Sequence, residues 1–233
     1  MNASSSKHPA PLEVCRHRIL IVDDHPIFRK GIAMLLEHEQ DIIICGEAET
    51  AAEALGLVER HEFELVIADI SLKDINGIEL VKSLKVLKPH LPVLVLSMHD
   101  ESLYAERALR AGARGYLMKQ APPDQVVAAI RQVLSGELYL SAAANLLMLN
   151  SFVTGRDSNS KSSVEKLSDR ELEIFELLGQ GRGTSMIAHD LRLSVKTVEA
   201  HRSHIKTKLG IHTAPELVRA AVEWVTRRTG GGD

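Results

Sequence analysis

Five polar residues each stand directly behind a short apolar run: Asp23 and Asp24 after ILIV, Asp69 after LVIA, Ser97 after VLVL with no gap, and Lys119 after GYLM. If those runs are neighbouring strands, three carboxylates, a hydroxyl and an ammonium converge on one rim. Two carboxylates about 4 Å apart repel by roughly 4 kcal/mol at an effective dielectric near 20, so three stay ionised together only beside a cation. Magnesium suits such a set: it favours carboxylate and carbonyl oxygens and keeps several waters, leaving room for a phosphate oxygen. The chemistry this points to is an aspartate nucleophile taking up a phosphoryl group. Taken singly, an Asp-Asp pair before a proline reads as a loop start, Ser97 as a cap and Lys119 as a solvated tip. Their coincidence behind successive runs is what favours a site.

The elements that must position these residues are legible in the periodicity. Strands are expected over 19–22, 42–45, 65–68, 93–96 and 115–118, with amphipathic helices over 27–36, 51–60, 78–87, 102–111 and 125–134. Strands this apolar must be covered on both faces, and strict alternation with helices predicts α/β architecture, a doubly wound five-stranded parallel sheet over 18–140. Reactive groups in such sheets gather beyond the carboxyl ends of the strands, where the strand order reverses.

Residues 151–163, SFVTGRDSNSKSS, have no periodicity and read as part of a linker over 141–164. Only helices follow, predicting a small all-α domain over 165–228. Ser168 with Glu171, and Thr213 with Glu216, have the spacing of capping boxes. Residues 1–17 and 229–233 read as tails. Cys15 and Cys45 have no paired spacing, so neither a disulfide framework nor a zinc site is expected. With no membrane-length apolar run and no signal-peptide core, the reading is a cytoplasmic protein without membrane contact. The net charge of -3 is uneven: residues 161–228 hold twelve Lys and Arg against nine Asp and Glu. A basic C-terminal part behind an acidic N-terminal part fits a nucleic-acid partner for one half.

The blocks IVDDHPIFRKGI, ADISLKDINGIEL, LVLSMHD and RAGARGYLMKQ resemble, in order and spacing, the signature blocks of bacterial response-regulator receiver domains with a flavodoxin-like fold. The resemblance implies that Asp69 is the phosphoacceptor and that Mg2+ is held by Asp23, Asp24, Asp69 and the backbone carbonyl of Ser71. It further implies that Ser97 and Lys119 hold phosphoryl oxygens and that Tyr116 is the aromatic that rotates with the switch. The chain departs from the family pattern at Lys73 and Gln120, where Pro is usual.

In the C-terminal part, Val198, His201, Ile205 and Leu209 form one stripe of a helix opened by Ser194, and that face must be buried. Lys196, Ala200, Ser203 and Thr207 fall opposite, and six basic residues between Arg182 and Lys208 face only Asp190 and Glu199. The segment 166–228 is similar to the LuxR-type helix-turn-helix found behind receivers in the NarL/FixJ family, on SVKTVEAH and KLG above all. By that resemblance 195–209 is a recognition helix for double-stranded promoter DNA. Lys196, Glu199, Ala200 and Ser203 are expected at base edges, and Thr197, Arg202 and Lys206 near phosphates. The last helix offers Leu217, Ala221, Trp224 and Val225 as a face for a second copy reading two half-sites, or as cover for the local core.

Together these features predict a two-component transcription regulator, not an enzyme, that takes a phosphoryl group from a sensor histidine kinase and dimerises when phosphorylated. One rival is a phosphohydrolase, disfavoured because no second acid stands two residues after Asp69. The other is a DNA-binding regulator whose receiver ignores phosphate. The leading reading requires that the acids lie close enough to share an ion and that solvent reaches Asp69.

Overall fold

The computed structural model of the chain describes residues 16–153 and 163–229. Strands β1 (His17–Val22), β2 (Ile42–Ala48), β3 (Leu65–Ala68), β4 (Val93–Ser97) and β5 (Gly115–Met118) form one parallel sheet in the order β2-β1-β3-β4-β5. Helices α1 (Pro26–Leu36), α2 (Ala51–Arg60), α3 (Gly77–Leu87), α4 (Glu101–Ala111) and α5 (Pro123–Leu134) alternate with them. Every expected element of this domain is present. The largest difference is β2, which runs on to Ala48 past an irregularity opposite Ile19 and Leu20.

Alternation along the strands splits the core into two layers. Leu20, Val22, Val66 and Val95 face α2, α3 and α4, while Ile19, Ile21, Ile67 and Leu96 face α1 and α5. Burial on both faces is why these runs are uniformly apolar. The chain leaves β1 toward β2 on one side and β3 toward β4 on the other, so the order reverses between β1 and β3. Their carboxyl ends therefore open the crevice in which Asp23, Asp24 and Asp69 sit.

One glycine fixes the geometry there. Gly77 donates its N–H to Ile70 O at 2.6 Å, and a Cβ on it would overlap the carbonyl of Asp69. Gly77→Ala is expected to displace the Asp69 turn, to cost about 1–3 kcal/mol in urea unfolding, and to lower phosphoryl uptake alongside.

The second half is helical: α6 (Ala142–Val153), a 3-10 turn (Ser163–Lys166), α7 (Asp169–Gly179), α8 (Thr184–Asp190), α9 (Val195–Leu209) and α10 (Ala214–Thr229). Both expected capping boxes form, Ser168 with Glu171 and Thr213 with Glu216. Helix α6 occupies the first half of the expected linker. Ser141 Oγ caps it by accepting from Ala144 N, and Ala144 is buried as the helix packs against α4. The remainder of that linker over 154–162, the N-terminal tail with Cys15, and residues 230–233 lie outside the described residues.

The expected dimer face needs correction. Leu217 and Ala221 are fully covered, because α10 lies so close on α7 that a Cβ on Gly179 would overlap Ala221 O. Trp224 packs on Phe175 with ring centroids 5.6 Å apart, and only part of it, with part of Val225, remains open.

Candidate functional site: an acidic pocket under a docked domain

Oxygens of Asp23, Asp24 and Asp69, with a ring nitrogen of His25, lie within 4.8 Å of one another. All three carboxylates are buried. Asp69 Oδ1 accepts from Ile70 N at 2.7 Å, and Lys119 Nζ donates to its Oδ2 at 2.8 Å. Lys119 also stands 2.5 Å from Asp23 Oδ2 and lies over the Phe28 ring, so the Gln120 departure leaves it in the pocket. Burial pushes the Asp69 carboxyl up, the Lys119 charge opposes this, and Asp23 adds to it. Asp23 Oδ2 meets Lys119 and Asp24 Oδ1 meets His25 Nδ1 at 2.7 Å, so nitrogens already face these oxygens, and three carboxylates gathered in one pocket are a donor set that suits a hard divalent ion. The first requirement of the sequence reading is met.

Ser97 is wholly buried at the end of β4, and its Oγ accepts from His99 N at 3.3 Å. Tyr116 is turned fully inward, its hydroxyl donating to His99 O at 2.8 Å. Asp69, however, is only 3% exposed. The requirement of solvent access fails in this structure: Asp69 is enclosed by groups of its own domain, Ile70 N and Lys119, while the second half of the chain docks on the surrounding rim.

Helix α7 docks on the rim. Glu173 accepts from Ser71 Oγ at 2.9 Å and from Asn76 Nδ2 at 3.3 Å, while Arg170 supplies a third contact at 2.8 Å. His99 stands between Glu173 and Glu176, 3.5 Å from each, and Tyr104 donates to Glu176 at 3.2 Å. Burial alone would strip the His99 proton, but hydrogen bonds to the two glutamates and their charges overcome it and raise its value. For Glu173 burial works upward, and His99 with Arg170 outweighs it, holding the carboxyl below its usual range. The pair is therefore a buried ion pair between domains. Further along, Arg107 donates to Asp169 and to Leu167 O at 2.9 Å, with Lys82 3.3 Å from Asp169. Arg192, from the turn between α8 and α9, lies 2.9 Å from Asp24.

Sequence reasoning missed Glu173, His99, Asn76, Arg107 and Arg192. Only Glu173 left a signal, as an acid inside a run that otherwise reads as packing.

On α9, Lys196, Glu199, Ala200 and Ser203 share an exposed face, as expected of a reading surface. Val198 and Ile205 are buried and His201 half-covered, so the stripe packs inward. Thr197 and Arg202 differ from expectation. Thr197 Oγ1 is bonded to Ser194 Oγ at 2.7 Å, and Arg202, 14% exposed, ties Thr184 to Glu199. Arg202 thus straps α8 to α9 in this arrangement. Lys206 is half-buried at the far end of the helix. No helix among the described residues is long and apolar enough to cross a membrane.

Comparison with known proteins agrees with this layout. Residues 19–131 match the response regulator receiver domain family, and residues 165–221 the bacterial regulatory proteins of the luxR family. The chain is 37% identical over 211 residues to the oxygen regulatory protein NreC of Staphylococcus carnosus, covering 88% of this chain and 97% of that protein. A LuxR-family two-component response regulator from Aurantimonas sp. SI85-9A1 is 32% identical with a TM-score of 0.56, over 59% of this chain and 99% of that one. RcsB of Salmonella enterica serovar Typhimurium, solved on the rprA promoter with phosphomimetic BeF3-, is 25% identical with a TM-score of 0.58, over 88% and 97%. With both halves matched in order and nearly the full length aligned, the chain belongs to the NarL/FixJ response regulators: a phosphorylation-switched, DNA-binding transcription regulator of a two-component system, and not an enzyme.

Proposed function

We propose that Asp69 is the phosphoacceptor, taking its phosphoryl group from the phosphohistidine of a sensor histidine kinase in the cytoplasm. A carboxylate oxygen attacks phosphorus, the P–N bond breaks, and an acyl phosphate and a free imidazole result. Asp23, Asp24, Asp69 and the Ser71 carbonyl would hold Mg2+, which when bound neutralises charge on the transferring group. Lys119 and Ser97 are the remaining partners for phosphoryl oxygens. The observation carrying this reading is the Lys119 ammonium against Asp69 beside two further buried acids.

The switch follows from what Ser97 and Tyr116 now hold. Both bond the backbone of His99, through its N–H and its carbonyl, and the His99 ring in turn holds Glu173 and Glu176 of α7. Redirecting Ser97 to a phosphoryl oxygen frees the His99 N–H and loosens the loop on which α7 is docked. A preference of a few kcal/mol for the open state is enough to invert the populations. Because Arg192 of the docked domain stands on Asp24 at the rim of the pocket, the docked form resists uptake of phosphate, and phosphorylation traps the open form.

Released, α9 meets the major groove with Lys196, Glu199, Ala200 and Ser203, while Lys206 flanks phosphates and Arg202 keeps Glu199 in place. A second copy meets the uncovered parts of Trp224 and Val225 together with Val218 and Val222, which are exposed. Two copies then read two promoter half-sites. Beryllofluoride with Mg2+, followed by light scattering and DNA titration, tests the whole sequence. A rise in both mass and DNA affinity is expected; no change in either would favour a receiver that ignores phosphate.

The division of labour on α9 has its own test in band-shift titrations against salt. Lys206→Ala should lower the salt slope by about 1 on every DNA sequence. Glu199→Ala should change which sites are preferred and leave that slope near its original value, after allowance for the freed Arg202. An unaltered profile for both variants would remove this placement of the helix.

A further inference from the structure

Among the described residues, Arg192 is the one non-glycine position with positive φ, at 52°. It lies in the turn between α8 and α9, where a left-handed backbone is unfavourable for an ordinary side chain. There the guanidinium leaves its own domain and crosses to the other, its Nη1 2.9 Å from Asp24 Oδ2. Asp24 is itself 9% exposed. A small cavity of about 60 Å³ continues from this contact, lined by Asp24, His25, Ser71 and Leu72 on one side and by Asp190 and Arg192 on the other. The cation of the docked domain therefore stands at the mouth of the acidic pocket, on one of its carboxylates.

We propose that Arg192 is a built-in counter-cation that competes with the divalent ion for Asp24, so that metal loading and domain docking oppose one another. This rests on the reading above that Asp23, Asp24 and Asp69 hold Mg2+. Either cation relieves the repulsion among the buried acids. Both at once would place a guanidinium and a dication on a single carboxylate, with like charges a few ångströms apart and little water to screen them. By linkage, whatever factor docking takes from metal affinity, the metal takes from docking. The other interdomain contacts, Glu173 with Ser71 and Arg107 with Asp169, share no atom with the ion pair. Metal alone therefore loosens the docked domain, and phosphorylation completes its release. The chain senses its metal before it senses phosphate.

The test uses the full chain. Arg192→Asn removes the charge while suiting the left-handed backbone, which Asn tolerates; Arg192→Glu reverses the charge. Calorimetric titration with MgCl2 should show binding about tenfold tighter in Arg192→Asn than in wild type, and tighter again in Arg192→Glu. A second reading needs no variant. Trp224 is the only tryptophan, and it lies under Arg228, which reaches across to Asp100 and Ser102 of the first domain. Mg2+ should shift its emission in wild type and leave it nearly unmoved in Arg192→Asn, whose starting spectrum is already that of the loosened form. Equal Mg2+ affinity in wild type and the folded variants, or a silent Trp224 in wild type as metal binds, overturns the competition and leaves the metal pocket standing. Absence of Mg2+ binding in every protein overturns both.

Discussion

Asp69→Asn should leave no detectable acyl phosphate after incubation with acetyl phosphate and Mg2+, whereas wild type gains one phosphoryl group by intact mass. The amide lacks the anionic oxygen that attacks phosphorus as acetate departs, and its neighbours cannot substitute: Asp23 Oδ2 is held by Lys119 and Asp24 by Arg192. The same change should raise the melting temperature of the metal-free protein by a few degrees. Burial pushes the Asp69 carboxyl up, with Lys119 opposing and Asp23 adding. A carboxyl raised on folding contributes favourably below its ordinary value, and that contribution is lost as pH climbs through the raised one. At neutral pH the charge is a burden the amide does not carry. Loss of function with a gain in stability is the signature expected of a site whose charges are placed for chemistry. Undiminished phosphoryl uptake by Asp69→Asn would move the acceptor elsewhere, and an unchanged melting temperature would mean that Lys119 already offsets the charge.

The parts of this molecule that were legible in the sequence are those set by local period and by strand ends. ILIV, LVIA and VLVL are apolar throughout because both faces of β1, β3 and β4 are covered, and the polar residue behind each run marks where its strand leaves the core. Helix α9 runs over 195–209 as expected because Ser194 caps its start and Gly210, at φ 68°, ends it. The docking of one domain on the other was not legible. Glu173 meets Ser71 and Asn76 about a hundred residues away, and in sequence each reads as an ordinary surface group. The Arg192 contact is harder still, since one arginine in a turn of a basic domain reads as a DNA or solvent contact. The apolar sector of α10 left two readings open, a face for a second copy or cover for the local core, and Leu217 and Ala221 take the second, covering α7 at Gly179, a choice that only the packing distance reveals. Period reports which face is buried, not what buries it.

Glu173→Ala should release the C-terminal domain without any phosphate. The carboxylate is 1% exposed and joins four partners at once, Ser71, Asn76, His99 and Arg170. Removing one member of a buried ion pair costs about 3–5 kcal/mol where the partner stays buried and unpaired, and because His99 keeps Glu176 on its other side the low end of that range is expected. Here the partner has an escape: His99 can be hydrated if α7 lifts away. The penalty therefore falls on the docked state and spares the open one, and at about 1.4 kcal/mol per decade it shifts the balance toward opening by about a hundredfold or more. Unphosphorylated Glu173→Ala should then bind promoter DNA nearly as tightly as beryllofluoride-treated wild type, and it should take up phosphate from acetyl phosphate faster because Arg192 no longer stands on Asp24 at the rim of the pocket. Arg170 also loses a partner in the variant, so a defect inside the small domain must be distinguished from release. Arg107→Ala serves this purpose: it acts from the other domain, breaking contacts to Asp169 and Leu167 O away from the acidic pocket. Gain of DNA affinity in both variants locates the effect at the interface they share. If both bind DNA no better than untreated wild type while their melting curves show intact domains, the docked arrangement does not restrain α9, and phosphate must act through pairing of two copies alone.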